Sequence, residues 1–146
     1  MKRVSCFHHI MCLGETKGID IIMNDKIFQE IFDRLQDYLP EDWKRVIYFV
    51  GYTKGSYSMK FYTQNEEGEY FDCFHLQGIT KGQIIKLFMD IDKIISKERA
   101  KLADKDKWSS LTMRVEKNGA MKTDFDYEDH TDDMVLYEKK WKEKYL

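Results

Sequence analysis

Proline is nearly missing from this chain, with Pro40 the only one among 146 residues. With aromatics at 14% of the sequence, that scarcity argues against disorder and against long extended loops. Cysteine is also sparse. Cys6, Cys12 and Cys73 are odd in number and include no C-x-x-C pair, so neither a disulfide framework nor a common zinc-site spacing is present. No metal or cofactor is expected, and a reducing cytoplasm is the simplest setting. No apolar run approaches the roughly 18 residues of a membrane span. The start, MKRVSCFHHIMCLGETKG, is basic, but His8 and His9 interrupt it and no small-x-small cleavage site follows, so it does not read as a secretion signal. Excess charge of one sign is lacking as well: 24 Lys and Arg face 26 Asp and Glu, leaving no global field toward nucleic acid or anionic membrane. Any electrostatic function must therefore come from local clustering.

What is present is the patterning of one domain, able to bury about two-thirds of its unfolded surface. Residues 1–22 lack that patterning. They read as a dispensable N-terminal extension ahead of a natural start at Met23, with residues 23–146 as a single domain. Asn24 is a suitable N-cap for a helix carrying Ile27, Phe28, Ile31, Phe32, Leu35, Tyr38 and Leu39 at spacings of three and four until Pro40 stops it. Three strands follow, 46–52, 57–63 and 70–76, separated by Lys54-Gly55 and Glu66-Glu67-Gly68. Thr80 and Gln83 have capping-box spacing before an apolar stripe of Ile84, Leu87, Phe88, Ile91, Ile94 and Ile95, and this helix is expected to run to about Ala103.

The stretch KWSSLTMRVEKNGAMKTDFDY, residues 107–127, then alternates with a period of two on either side of Asn118-Gly119, which predicts a hairpin. After the turn Met121, Thr123, Phe125 and Tyr127 would face a core, while Lys122, Asp124, Asp126 and Glu128 would face water. Thr131 or Asp132 would cap a last helix with Met134, Tyr137, Trp141 and Tyr145. The predicted fold is α+β, an antiparallel sheet of about five strands with helices packed on one face, in the order α-β-β-β-α-β-β-α.

The candidates for chemistry are few. Cys73 and His75 would share a face of the third strand, but no oxyanion-hole glycine motif accompanies them. His8, His9, Cys6 and Cys12 have no recognised ligand spacing, and His130 stands among carboxylates without a second His or Cys. DFDYEDHTDD lacks the glycine and terminal glutamate of an EF-hand loop. Its bland reading is a solvated strand edge with helix N-cap carboxylates. Its functional reading is a binding edge for a basic protein partner, formed by Asp124, Asp126, Tyr127, Glu128, Asp129, Asp132 and Asp133. Trp141 and Tyr145 beside Lys139, Lys140, Lys142 and Lys144 could be a stacking platform, but their spacing of four suits packing on the sheet better.

LPEDWKRV after the first helix, KFYTQ closing a strand pair, W-S-S-L-T, N-G-x-x-K-T-D-F-D-Y-E-D and a terminal W-K-E-K-Y-L together resemble the YezG-like immunity proteins, including the EsaG type. The resemblance runs from about Ile27 to Leu146, and its pattern marks Trp108, Gly119, Phe125, Asp126 and Trp141. It implies a bacterial cytoplasmic antitoxin of a polymorphic toxin system, without catalytic activity, that binds and neutralises a cognate secreted toxin, commonly a nuclease. No direct contact with nucleic acid or membrane is implied. A small cytoplasmic enzyme and a nucleic-acid-binding module are the alternatives. The missing catalytic motifs weigh against the first, and the missing basic stripe weighs against the second.

Overall fold

The computed structural model describes residues 26–146. The expected extension 1–22, the start at Met23 and the Asn24 cap lie outside the described residues. Helix α1, Lys26–Gln36, buries Ile27, Phe28, Ile31, Phe32 and Leu35 as expected but ends four residues before Pro40: Tyr38 N and Leu39 N donate three residues back, to Leu35 O and Gln36 O, in a tighter closing turn whose side chains are only partly buried. Strands β1 (Arg45–Thr53) and β2 (Ser56–Gln64) form a tight antiparallel pair, and the short β3 (Tyr70–Asp72) adds to the edge of β2. The third strand stops four residues before its expected end. The Asp72 carboxylate accepts from the backbone N–H of Phe74 at 2.8 Å and starts a 3-10 turn, Cys73–His75, so a local side-chain bond wins over the sheet ladder.

Helix α2, Lys81–Arg99, opens on the predicted capping box: Thr80 Oγ1 accepts from Gln83 N at 3.1 Å, and Gln83 Oε1 accepts from Thr80 N at 2.8 Å. It ends at Arg99 rather than near Ala103. Strands β4 (Ser110–Glu116) and β5 (Met121–Asp126) form the predicted hairpin, with Gly119 at φ 97°, a conformation costly for any residue with a Cβ. Helix α3, Met134–Tyr145, closes the chain. Its N-cap is Asp133 rather than Thr131 or Asp132.

The sheet order is β3-β2-β1-β4-β5, antiparallel throughout, and the α+β class and element order are those predicted. Central β1 decides how the layers stack. Val46, Tyr48 and Val50 point into the main core with Phe61, Leu111, Met113 and Val115, under α1 and α2. Ile47 and Phe49 point the other way and meet Tyr62 and Trp141. A strand apolar on both sides needs cover on both sides. The one-face arrangement therefore holds for α1 and α2, while α3 lies across the opposite face.

Candidate functional site

The acidic run lies where β5 ends and α3 begins, and α3 determines what each of its carboxylates can do. The inner side of this helix carries Tyr137, Trp141 and Tyr145, four residues apart, and each has a polar tip with a partner on the hairpin below. Trp141 Nε1–H donates to Thr112 Oγ1 at 2.8 Å, Tyr137 OH lies 2.8 Å from Ser110 Oγ, and Tyr145 OH donates to Asp124 Oδ2 at 2.6 Å. Phe49 packs against Trp141 and Tyr137, with ring centroids 5.3 and 6.1 Å apart. Thus Trp141 and Tyr145 serve packing, as their spacing suggests, and Asp124 is half-buried beneath the helix rather than standing in water.

Asp126 is drawn inward too. His130 is buried, and its ring stacks on Tyr137 with centroids 3.9 Å apart. Its Nε2 lies 2.9 Å from Asp126 Oδ2 and its Nδ1 lies 3.0 Å from Asp133 Oδ1. Both neighbours are acceptors, so only the imidazolium can donate to both at once. Burial alone would lower the His130 pKa, but the bonds and charges of the two carboxylates outweigh it and raise it. Burial would push Asp126 up, yet the Glu128 N–H at 3.0 Å and His130 hold it below the usual carboxylate value. The result is a clasp from the end of β5 to the first turn of α3. It also explains why Asp133, although the N-cap residue, makes no side-chain cap bond: its carboxylate is engaged by His130.

The turn between is pinned at further points. Asp129 Oδ1 accepts from both the hydroxyl and the N–H of Thr131, which hold that carboxylate below its ordinary range. Lys54 N, in the β1–β2 turn, donates to Thr131 Oγ1 at 3.3 Å. Of the seven predicted edge residues, Asp124 and Asp126 support the helix, Asp133 shares its charge with His130, and Tyr127, Glu128, Asp129 and Asp132 are exposed. Among the described residues no ion pair engages Glu128, Asp129 or Asp132. The Asp126–His130–Asp133 bridge was not read from the sequence, although the spacings of four and three across D-x-x-x-H-x-x-D were its signal.

The Cys73–His75 pair does not form. Cys73 is buried, with burial pushing its thiol up to about 12, while His75 is exposed at the end of the 3-10 turn. The shortened third strand removes the shared face on which the pairing depended. Among the described residues no group of three His, Cys, Asp or Glu is placed to hold a metal ion, and no helix is long and apolar enough to cross a membrane. Residues 24–146 match the family described as Immunity protein YezG-like.

The chain belongs to the YezG-like immunity protein family. No curated protein matches it. All five residues on which the resemblance rests have structural work in this chain. Trp108 and Trp141 are buried, Phe125 packs on Trp108 with centroids 5.6 Å apart, and Asp126 anchors the His130 clasp. Gly119 supplies the turn between β4 and β5.

Proposed function

We propose that this YezG-like immunity protein acts in the cytoplasm as an antitoxin, neutralising a cognate secreted nuclease by covering its basic substrate face, with no catalysis of its own. The observation that supports this reading is the exposed, pinned acidic turn. Glu128, Asp129 and Asp132 project from a segment fixed at Asp126, Thr131 and Asp133, so little ordering is left to be done on binding. A nuclease surface that binds phosphates is positive, and opposed carboxylates steer encounter with it and keep nucleic acid off. Tyr127, half exposed, adds an aromatic of the kind that anchors interfaces. Asp124, Asp126 and Asp133 belong to the same edge as supports that hold the turn and the helix.

The test is charge reversal measured against the cognate toxin domain. Glu128→Lys and Asp132→Lys should each slow association about tenfold at low salt, with the loss shrinking as salt rises and the melting temperature held within a few degrees. Asp129→Lys and Asp133→Lys are poorer probes, because the first also releases Thr131 and the second breaks the clasp. Unchanged association in both Glu128→Lys and Asp132→Lys places the toxin on another surface.

A further inference from the structure

The outer side of the first turn of α3 carries two adjacent apolar side chains, Val135 at 87% exposure and Leu136 at 51%. Scattered exposed apolar residues are ordinary, but this pair stands between two hollows. One is a shallow recess of about 560 Å³ lined by Thr131, Asp132, Met134, Val135, Leu136 and Lys139. The other, about 440 Å³, runs along the inner edge of α3 past Glu128, His130 and Tyr137, with Leu136 on its lip. Leu136 and Asp133 border both hollows. The inner residues of the helix, Tyr137, Trp141 and Tyr145, are already committed to the sheet, so Val135 and Leu136 have no task within the described fold.

Resting on the antitoxin reading above, we propose that the Val135–Leu136 ridge is the apolar centre of the toxin-binding surface and that the acidic turn is its rim. Charge selects the occupant. Around the two hollows the carboxylates of Asp124, Asp126, Glu128, Asp132 and Asp133 outnumber the lysines, Lys139, Lys140 and Lys144, and the acids gather at the turn that precedes the ridge. A basic protein surface complements that arrangement. A second copy of this chain, meeting it through a twofold interface, would bring the same carboxylate-rich turn toward its own image. The two parts have different duties: the rim carboxylates set the rate of encounter, while the desolvated ridge sets the lifetime of the complex.

The test uses the full chain and the cognate toxin domain made inactive by substitution. Val135→Ala/Leu136→Ala keeps good helix formers in place and removes only the apolar bulk. Dissociation should become about 30-fold faster, equally at low and high salt, with association barely altered and the thermal melt close to that of the parent. Leu136→Met should retain slow dissociation. Unchanged dissociation in the double variant, with Glu128→Lys still slowing association, overturns the ridge and leaves the antitoxin reading intact. If both sets of variants bind as the parent does, the toxin sits on another surface and ridge and acidic turn are overturned together, whereas a parent that binds no toxin overturns the antitoxin reading itself. A parent that sediments as a dimer and a double variant that sediments as a monomer assigns the ridge to self-association and overturns the proposal.

Discussion

The two faces of the sheet are covered by different means. Under α1 and α2 the contact is almost wholly apolar: Tyr48, Phe61, Leu111 and Met113 are fully buried against Ile31, Leu35, Ile84, Ile91 and Ile95. Under α3 only Trp141 of the helix is buried, and the helix sits on hydroxyl, indole and carboxylate contacts to Ser110, Thr112 and Asp124, with Glu138 receiving Lys60 at 3.0 Å and Ser58 at 3.3 Å. Apolar area is non-directional and supplies stability, whereas hydrogen bonds fix orientation at modest net gain. The first face therefore holds the fold together, and the second sets the angle at which the acidic turn and the ridge are presented. The largest effect should come from the first face. Phe61→Ala removes a fully buried ring in edge contact with Phe88, centroids 6.2 Å apart, and should cost about 3–5 kcal/mol in urea unfolding. A cost near 1 kcal/mol would mean that this face collapses around the gap and is not the main store of stability.

Two tryptophans sharpen the comparison at a smaller scale. Trp108, under the apolar face, is fully buried and its Nε1–H has no hydrogen-bond partner among the described residues, while Trp141, on the other face, donates to Thr112. Trp141→Phe should cost about 1–2 kcal/mol, since it also strands the buried Thr112 hydroxyl, and a cycle with Thr112→Val should return about 1 kcal/mol of coupling. Trp108→Phe should cost less, because the lost ring contacts are offset by relief of an unpaired buried donor. Equal costs at the two positions, with no coupling to Thr112, would show that the polar tips of α3 do not orient it.

Much of this was legible in sequence, and the failures share a cause. The stripe of α2, that of α1 as far as Leu35 and the Asn118-Gly119 hairpin follow from local period and turn chemistry, and they appear as predicted. The position of α3 was not legible. VIYFVGY in β1 is apolar on both sides, a hint that a second layer exists, but no local pattern states which helix supplies it. For the same reason alternation alone turns Asp124 and Asp126 toward solvent: it assigns a side of the strand and is silent on whether something covers that side. The end of β3 at Asp72 and the His130 clasp depend on single side-chain bonds, which compete with regular patterning only once the chain has folded.

The smallest expected effect belongs to the clasp, and pH separates it from ordinary packing. The His130 pKa is raised from its ordinary 6.5, so its contribution is complete below that value and is lost as pH rises through the raised folded pKa. The Asp126 pKa is lowered from 3.8, so its contribution is complete above that value and is lost as pH falls through the depressed one. Both are in force in the window between 3.8 and 6.5. His130→Gln keeps a polar side chain but no charge, and at about pH 5.5 it should cost roughly 1 kcal/mol or less, a figure kept low because the Asp133 side chain is 53% exposed. At about pH 9 the gap between parent and variant should narrow, since the parent has by then lost its imidazolium while the variant has nothing to titrate. Thermal melts of both proteins between about pH 5 and 9 check this. A gap that stays constant across the range would mean that His130 contributes only through its stacking on Tyr137, and that the acidic turn is held by Thr131 and the sheet rather than by charge.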